Sequence, residues 1–226
     1  HEGEGRTAAI SGSGALFERI QRSLGIREFL ALHGWGEAKR RYLLGDASAR
    51  AYETACRPGN AERIIMNSPP LVLGPPVRDG KPYAVIAHTA QTVSAFVGVD
   101  TALRAAGFAA PEIYAADLEQ GFLMVEHLGS VPFLKDGDPV RERYEAAARL
   151  LADLHEQDWP ATIDAEGAHH TIPPFDRGAM LIEVSLLVDW YLPFITGAPA
   201  PDALRRDFRV QFARKDLAGV FVLEPR

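Results

Sequence analysis

A single cysteine, Cys56, stands in 226 residues. An internal disulfide is therefore impossible, which excludes a disulfide-stapled secreted scaffold and suits a reducing compartment, the cytoplasm. Positive charge is also short: 24 Lys and Arg face 30 Asp and Glu, for a formal net charge of -6. Broad nucleic-acid binding depends on clustered cations that neutralise phosphates, so this balance argues against it. No uninterrupted apolar run approaches the roughly 18 residues that a membrane span needs, so no membrane segment is expected. The opening HEGEGRTAAISGSG holds neither Met nor an apolar stretch of signal-peptide type. Residues 1–14 read as a flexible linker, or as a piece cut from something longer.

What is present is ordinary for a globular chain: 47% hydrophobic and 24% charged residues. The length allows one large domain or two small ones. ALFERIQRSLGIREFLALHGW carries apolar residues at helical spacing, with a break or kink expected at Gly25. KRRYLL and RAYETAC read as strands joined through GDAS, and AERIIMN as a third strand. SPPLVLGPPVRDGKP, residues 68–82, reads as a loop because Pro breaks ladders and helices alike. AVIAHTAQTVSAFVGVDTALRAAG reads as one helix with Ile86, Val93, Phe96, Val97 and Leu103 on its apolar side.

PEIYAAD and GFLMVEHLG follow as two strands. The second is apolar from Phe122 to Val125, as expected of a central strand buried on both faces. Beyond Gly129 the pattern turns helical, with a stripe at Tyr144, Ala147, Ala148, Leu151, Leu154 and His155. A loop rich in Pro and His is expected over 158–174. FDRGAMLIEVSLLVDWYLPFI and DALRRDFRVQF read as two further helices, and GVFVL near the end as a strand. The order makes an α+β chain in two lobes, with the change near Gly129.

RYLLGDASARAYE, IIMNSPP, RDGKPYAVIAH, FVGVDTALRAAGFAAPEIYAADLEQGFLMVEHLG and AARLLADLHE, in that order, resemble the aminoglycoside phosphotransferase-like family. The nearest branch is the bacterial kinases of cell-wall amino sugars, and the likeness covers about residues 15–195. The resemblance implies a two-lobed protein-kinase-like fold. Its N-terminal lobe, an antiparallel sheet plus helix, would span 15–128. A mainly helical, incomplete C-terminal lobe would span 129–226. The implied function is ATP-dependent phosphoryl transfer to a small hydroxylated acceptor, an amino sugar, with ATP and Mg2+ as cofactors. The alternative is a non-catalytic nucleotide-binding or interaction module of the same fold. Some relatives are fused behind an ATPase domain, and the Gly-rich start would suit such a junction.

GDAS by itself fits a hairpin turn in which Asp46 and Ser48 bond their own backbone. The resemblance turns it into a phosphate loop, where Gly45, Asp46, Ala47 and Ser48 let backbone N–H groups approach an anion. It also places Glu126, His127 and Leu128 against the adenine edge, through backbone groups. Kinases usually carry a Lys on the third strand and an acid on the next helix. Here IIMN has no Lys, so Asn67 would face the nucleotide, and Gln91 stands where relatives have an acid, unless it is a surface residue. Asp189, Trp190 and Tyr191 fall in the region that lines the acceptor pocket in relatives, although large residues at helical spacing are more often core.

Phosphoryl transfer also needs a proton-accepting carboxylate, a nearby Asn and a metal-holding Asp. The family keeps these on a His/Asp/Asn loop, and no His here precedes Asp and Asn at that spacing. Catalytic residues are therefore unassigned and metal ligands are not found. His169 and His170, with Asp164 and Glu166 nearby, read as a polar loop rather than a metal site.

Overall fold

The computed structural model describes residues 14–44, 50–165 and 167–212. The described elements begin with helix α1 (Ala15–Leu32) and strands β1 (Lys39–Leu43), β2 (Ala51–Cys56) and β3 (Arg63–Asn67). A short hairpin, β4 (Pro76–Arg78) and β5 (Lys81–Pro82), leads to helices α2 (Tyr83–Ile86) and α3 (Ser94–Ala105). Strands β6 (Ile113–Asp117) and β7 (Phe122–Glu126) follow, then a second short hairpin, β8 (Leu134–Lys135) and β9 (Asp138–Pro139). Helix α4 (Arg141–His155), hairpin β10 (Thr162–Ala165) and β11 (Ala168–Thr171), and helices α5 (Arg177–Leu186), α6 (Leu192–Thr196) and α7 (Asp202–Phe212) complete the described chain. A π-helical turn, Leu187–Tyr191, joins α5 to α6.

The chain forms two compact units: His1–Pro69 with Pro111–His127, and Pro70–Ala110 with Leu128–Arg226. These bounds differ from a single division near Gly129, because residues 70–110 belong to the second unit.

In the first unit five antiparallel strands run in the order β1-β2-β3-β7-β6. As expected, β7 is internal, and Phe122 through Val125 are all buried. Alternate residues of the sheet, Ala55, Ile65, Ala115, Phe122 and Met124, form one core with Ile26, Phe29 and Leu30 of α1 and with Trp35. The expected break at Gly25 does not occur. A Cβ there would stand 3.1 Å from Phe122 Cε2, so the missing side chain lets α1 lie close over the ring. Arg22 caps the same ring, its guanidinium carbon 4.0 Å from the centroid. Phe29, one further turn along, places its ring centroid 5.9 Å away.

Three segments of the second unit differ from the sequence reading. The stretch 68–82 contains the β4–β5 hairpin. Asp79 and Gly80, with φ of 50° and 72°, form its two-residue turn, the left-handed pairing that Asp-Gly favours. The helix expected from residue 84 onward is split: α2 ends at Ile86, His88 takes φ 54°, and α3 starts at Ser94. The 158–174 loop holds the β10–β11 hairpin, on which α3 packs. Gly98 makes that packing possible, since a Cβ would meet His170 Cβ at 3.1 Å. His169 pairs with Asp164, directly across the hairpin.

The helical run Arg177–Thr196 is more apolar than its sequence suggests at first sight. By length and composition its 20 residues are enough to cross a membrane, with a mean hydropathy of 1.5 in its best window. Acids interrupt it at Glu183 and Asp189, which hid the run from a search for unbroken apolar sequence. The stripe on α4 is helical as read, but no residue of α4 is buried.

Gly121 is the tightest point of the first unit. Its φ is 73°, and a Cβ would lie 2.0 Å from the Ser68 carbonyl oxygen, whose own N–H donates to the Gly121 carbonyl at 2.8 Å. Gly121→Ala combines left-handed strain with a backbone overlap, so a loss of about 2 kcal/mol or more in unfolding free energy is expected. Urea denaturation checks this; an unchanged midpoint would mean that the turn relaxes freely.

Candidate functional site

The second unit encloses a cavity of about 460 Å³ against the face of α5 and the π-helical turn. The β4–β5 hairpin and α2 close its other side, supplying Val77, Arg78 and Tyr83. Ile182 and Ser185 come from α5, and Asp189 and Trp190 from the π-helical turn. Such a turn adds a residue to the helix and is often found at functional sites.

Hydrogen bonds pin the polar wall. Arg205 of α7 donates from Nη1 to Asp189 Oδ1 at 2.9 Å. Tyr83 donates its hydroxyl to Glu183 Oε1 at 2.5 Å. Burial, and then this bond, push the Tyr83 pKa up to about 12, so the phenol stays a protonated donor. Ser185 donates to the Ile182 carbonyl at 2.9 Å and receives Arg78 Nη2 at 3.4 Å. Trp190 is 73% exposed, leaving its indole face open.

A smaller cavity of about 180 Å³ shares Arg78 with the larger one. Lys81, His88, Asp79 and Asp176 border it. Asp176 caps α5, accepting the Ala179 N–H at 2.9 Å and facing His88 Nε2 at 3.1 Å. Those two bonds hold its carboxyl below the ordinary aspartate value, the capping N–H contributing most.

In the first unit the sheet register sets the remaining candidates apart. Asn67 pairs with Ala51 and Phe122 at one end of the sheet, whereas Glu126 pairs with Arg63 at the other. Asn67 lies on the face that α1 covers, and its Oδ1 accepts Arg22 Nε at 2.9 Å and Nη2 at 2.5 Å. The residue expected to face a nucleotide thus spends its side-chain acceptor on α1. At the opposite end the Glu126 N–H donates to the Glu112 carbonyl at 2.8 Å, and the Glu112 N–H to Glu126 Oε2 at 3.1 Å. The Glu126 amide is therefore already used beside the sheet. The chain passes from the first unit to the second between His127 and Leu128. Gly45, Asp46, Ala47 and Ser48 lie outside the described residues, as does the GVFVL segment.

Of the acceptor-side candidates, Asp189 and Trp190 line the larger cavity together, while Tyr191 is not part of its wall. Gln91 is exposed and precedes α3 rather than standing on it. Arg78, Tyr83 and Ser185 escaped the sequence reading. The available signal was Asp79-Gly80, a hairpin dipeptide inside a stretch read as loop. Among the described residues no group of three or more His, Cys, Asp and Glu is placed to hold a metal ion.

A five-stranded antiparallel sheet joined to a helical unit bearing a cavity with a few placed polar groups is the α+β architecture of a kinase-like phosphotransferase. Residues 32–215 match the phosphotransferase enzyme family, and the chain belongs to it. It is 32% identical over 174 residues to an N-acetylmuramate/N-acetylglucosamine kinase of Caulobacter vibrioides. It is 30% identical over 170 residues to a kinase of the same name from Pseudomonas aeruginosa. Those alignments cover 72% and 73% of this chain but 48% and 42% of the relatives, so the chain spans about half their length.

Two measurements probe the local chemistry. Cys56 Sγ donates to Glu62 Oε1 at 2.7 Å, an oxygen that also accepts Arg41 Nη2 at 3.0 Å. The bond to Glu62 pushes the thiol pKa up. Glu62→Gln should therefore speed alkylation of Cys56 by iodoacetamide at pH 8 by about threefold or more, because the thiolate is the reactive form. An unchanged rate would show that the bond does not restrain the proton.

The second measurement concerns Asp176. Its depressed folded pKa means that its contribution is present above the ordinary value of 3.8 and is lost as pH falls through the folded value. Asp176→Ala should cost about 1 kcal/mol at pH 7, and the gap to wild type should narrow in urea melts at pH 3. A gap constant across that range would exclude the carboxylate cap.

Proposed function

We propose that this chain forms the nucleotide- and acceptor-binding part of an ATP-dependent phosphotransferase acting in the cytoplasm on a small amino sugar. The observation that carries the reading is the cavity of about 460 Å³ in the second unit. Its size falls within the range of small-molecule sites, which combine apolar surface with a few placed polar groups. A sugar ring has an apolar face, which suits the open indole of Trp190, and a hydroxyl rim. Asp189 accepts from that rim, while Tyr83 and Ser185 supply polar atoms around it. Family membership and the relatives named as amino-sugar kinases support an acceptor of that class.

For the nucleotide, the reading rests on the sheet. Five residues of β7 separate the Asn67 end from the Glu126 end, a span of about 13 Å at the usual strand rise. That is the scale of an extended nucleoside triphosphate. The base would lie beside His127 and Leu128, held by their backbone groups, with the phosphates toward the Asn67 end of the sheet. Bound Mg2+ would offset phosphate charge.

Calorimetry with a non-hydrolysable ATP analogue and with N-acetylglucosamine tests both halves. Trp190→Ala should weaken sugar binding about tenfold and leave nucleotide affinity unchanged. Absence of sugar binding by the wild-type chain, or an equal loss for both ligands, would overturn the assignment.

A further inference from the structure

Arg78 occupies an unusual position. Among the described residues it is the only cation on the wall of the larger cavity, and it also borders the smaller one. The acid on that wall is already engaged: Asp189 is held by Arg205. Glu183, on the same helix, accepts the Tyr83 hydroxyl. Arg78 itself has one hydrogen bond among the described residues, a long one of 3.4 Å to the neutral hydroxyl of Ser185. Asp79, its neighbour in the hairpin turn, is exposed and borders only the smaller cavity. A half-buried guanidinium is thus presented to a small-molecule cavity with most of its five donors uncommitted to protein acids.

We propose that Arg78 makes this cavity select an amino sugar bearing a carboxylate over its neutral counterpart. A guanidinium presents a planar fork that matches a carboxylate with two parallel N–H···O bonds, and charge-assisted bonds of this kind are the strong ones. The half-buried setting limits competition from water for those donors. The short Asp79-Gly80 turn fixes the strand that carries Arg78, so the fork is placed by backbone geometry rather than by a long loop. Placement of the sugar ring against Trp190, on the same wall, leaves a carboxylate substituent to reach toward the hairpin. The inference rests on the acceptor reading above. It adds a specificity residue and a preference between the two sugars in the relatives' names: N-acetylmuramate carries a lactyl carboxylate, and N-acetylglucosamine does not.

The test is calorimetric titration of the chain with each sugar, at low and high salt, in wild type, Arg78→Met, Arg78→Lys and Lys81→Met. Arg78→Met keeps the length and apolar stem of the side chain. Lys81 borders only the smaller cavity and serves as the control for general loss of positive charge. Wild type is expected to bind N-acetylmuramate about tenfold more tightly than N-acetylglucosamine, with the margin shrinking at high salt. Arg78→Met should erase that margin without moving N-acetylglucosamine affinity by more than about twofold, Arg78→Lys should retain part of it, and Lys81→Met all of it. Circular dichroism confirms that each variant is folded. Equal affinity of wild type for both sugars, or an equal loss of both in Arg78→Met, overturns the selectivity and leaves the acceptor reading standing. Failure of wild type to bind either sugar overturns both.

Discussion

Phe122 is the point on which the first unit depends. The ring is fully buried at the start of β7 and meets one stripe of α1, where Arg22, Gly25 and Phe29 recur at helical spacing. Each contact uses a different property: the charge of Arg22 over the ring face, the missing side chain of Gly25, and the tilted ring of Phe29. Because β7 lies between β3 and β6, fixing Phe122 fixes the register of both neighbours. Ser68 and Gly121 then close the end of the β3–β7 pair through a backbone bond that only glycine permits. Helix, sheet order and the separation of Asn67 from Glu126 follow from this one packing site.

Four polar contacts organise the cavity region of the second unit. Tyr83 reaches Glu183, Arg78 reaches Ser185, His88 reaches Asp176 and Arg205 reaches Asp189. All four tie a neighbouring segment to the α5 helix or its π-helical extension. A cavity with a polar wall is the natural result, since the groups that join the segments are the groups that line the gap between them. Removing one partner would leave the other half-buried and less well satisfied, which is more costly than losing an exposed pair.

Much of the first unit was legible in the sequence because its signals are strong and local. Phe122–Val125 is an unbroken apolar run and folds as the internal strand, and the three early strands carry alternating or β-branched residues. Gly25 was misread because glycine in a helix has two causes, a break or a close approach, and only the distant partner Phe122 distinguishes them. The second unit was harder. Proline at 75, 76 and 82 masked a hairpin whose strands have only three and two residues. Periodicity ran through Ala87 and His88 although the backbone reverses there. At the candidate site, Asp189 and Trp190 were found because the family resemblance pointed to their helix. Arg78 and Tyr83 were missed because their approach to that helix bridges about a hundred residues of chain, a relation that no local pattern encodes.

The π-helical turn at Leu187–Tyr191 has an evolutionary reading as well as a geometric one. A π turn is the trace of a single residue accommodated inside an α-helix. Deleting one codon in this stretch would restore ordinary winding and re-space the residues within it, while the helix beyond keeps its phase. Trp190 and Asp189 would leave the cavity wall together, and Arg205 would lose its acid. Substitutions along α5 adjust the cavity one contact at a time, but a change of length at 187–191 re-addresses its whole wall in one event. Homologues that differ in chain length there should therefore differ in what they recognise, even where the surrounding side chains are the same.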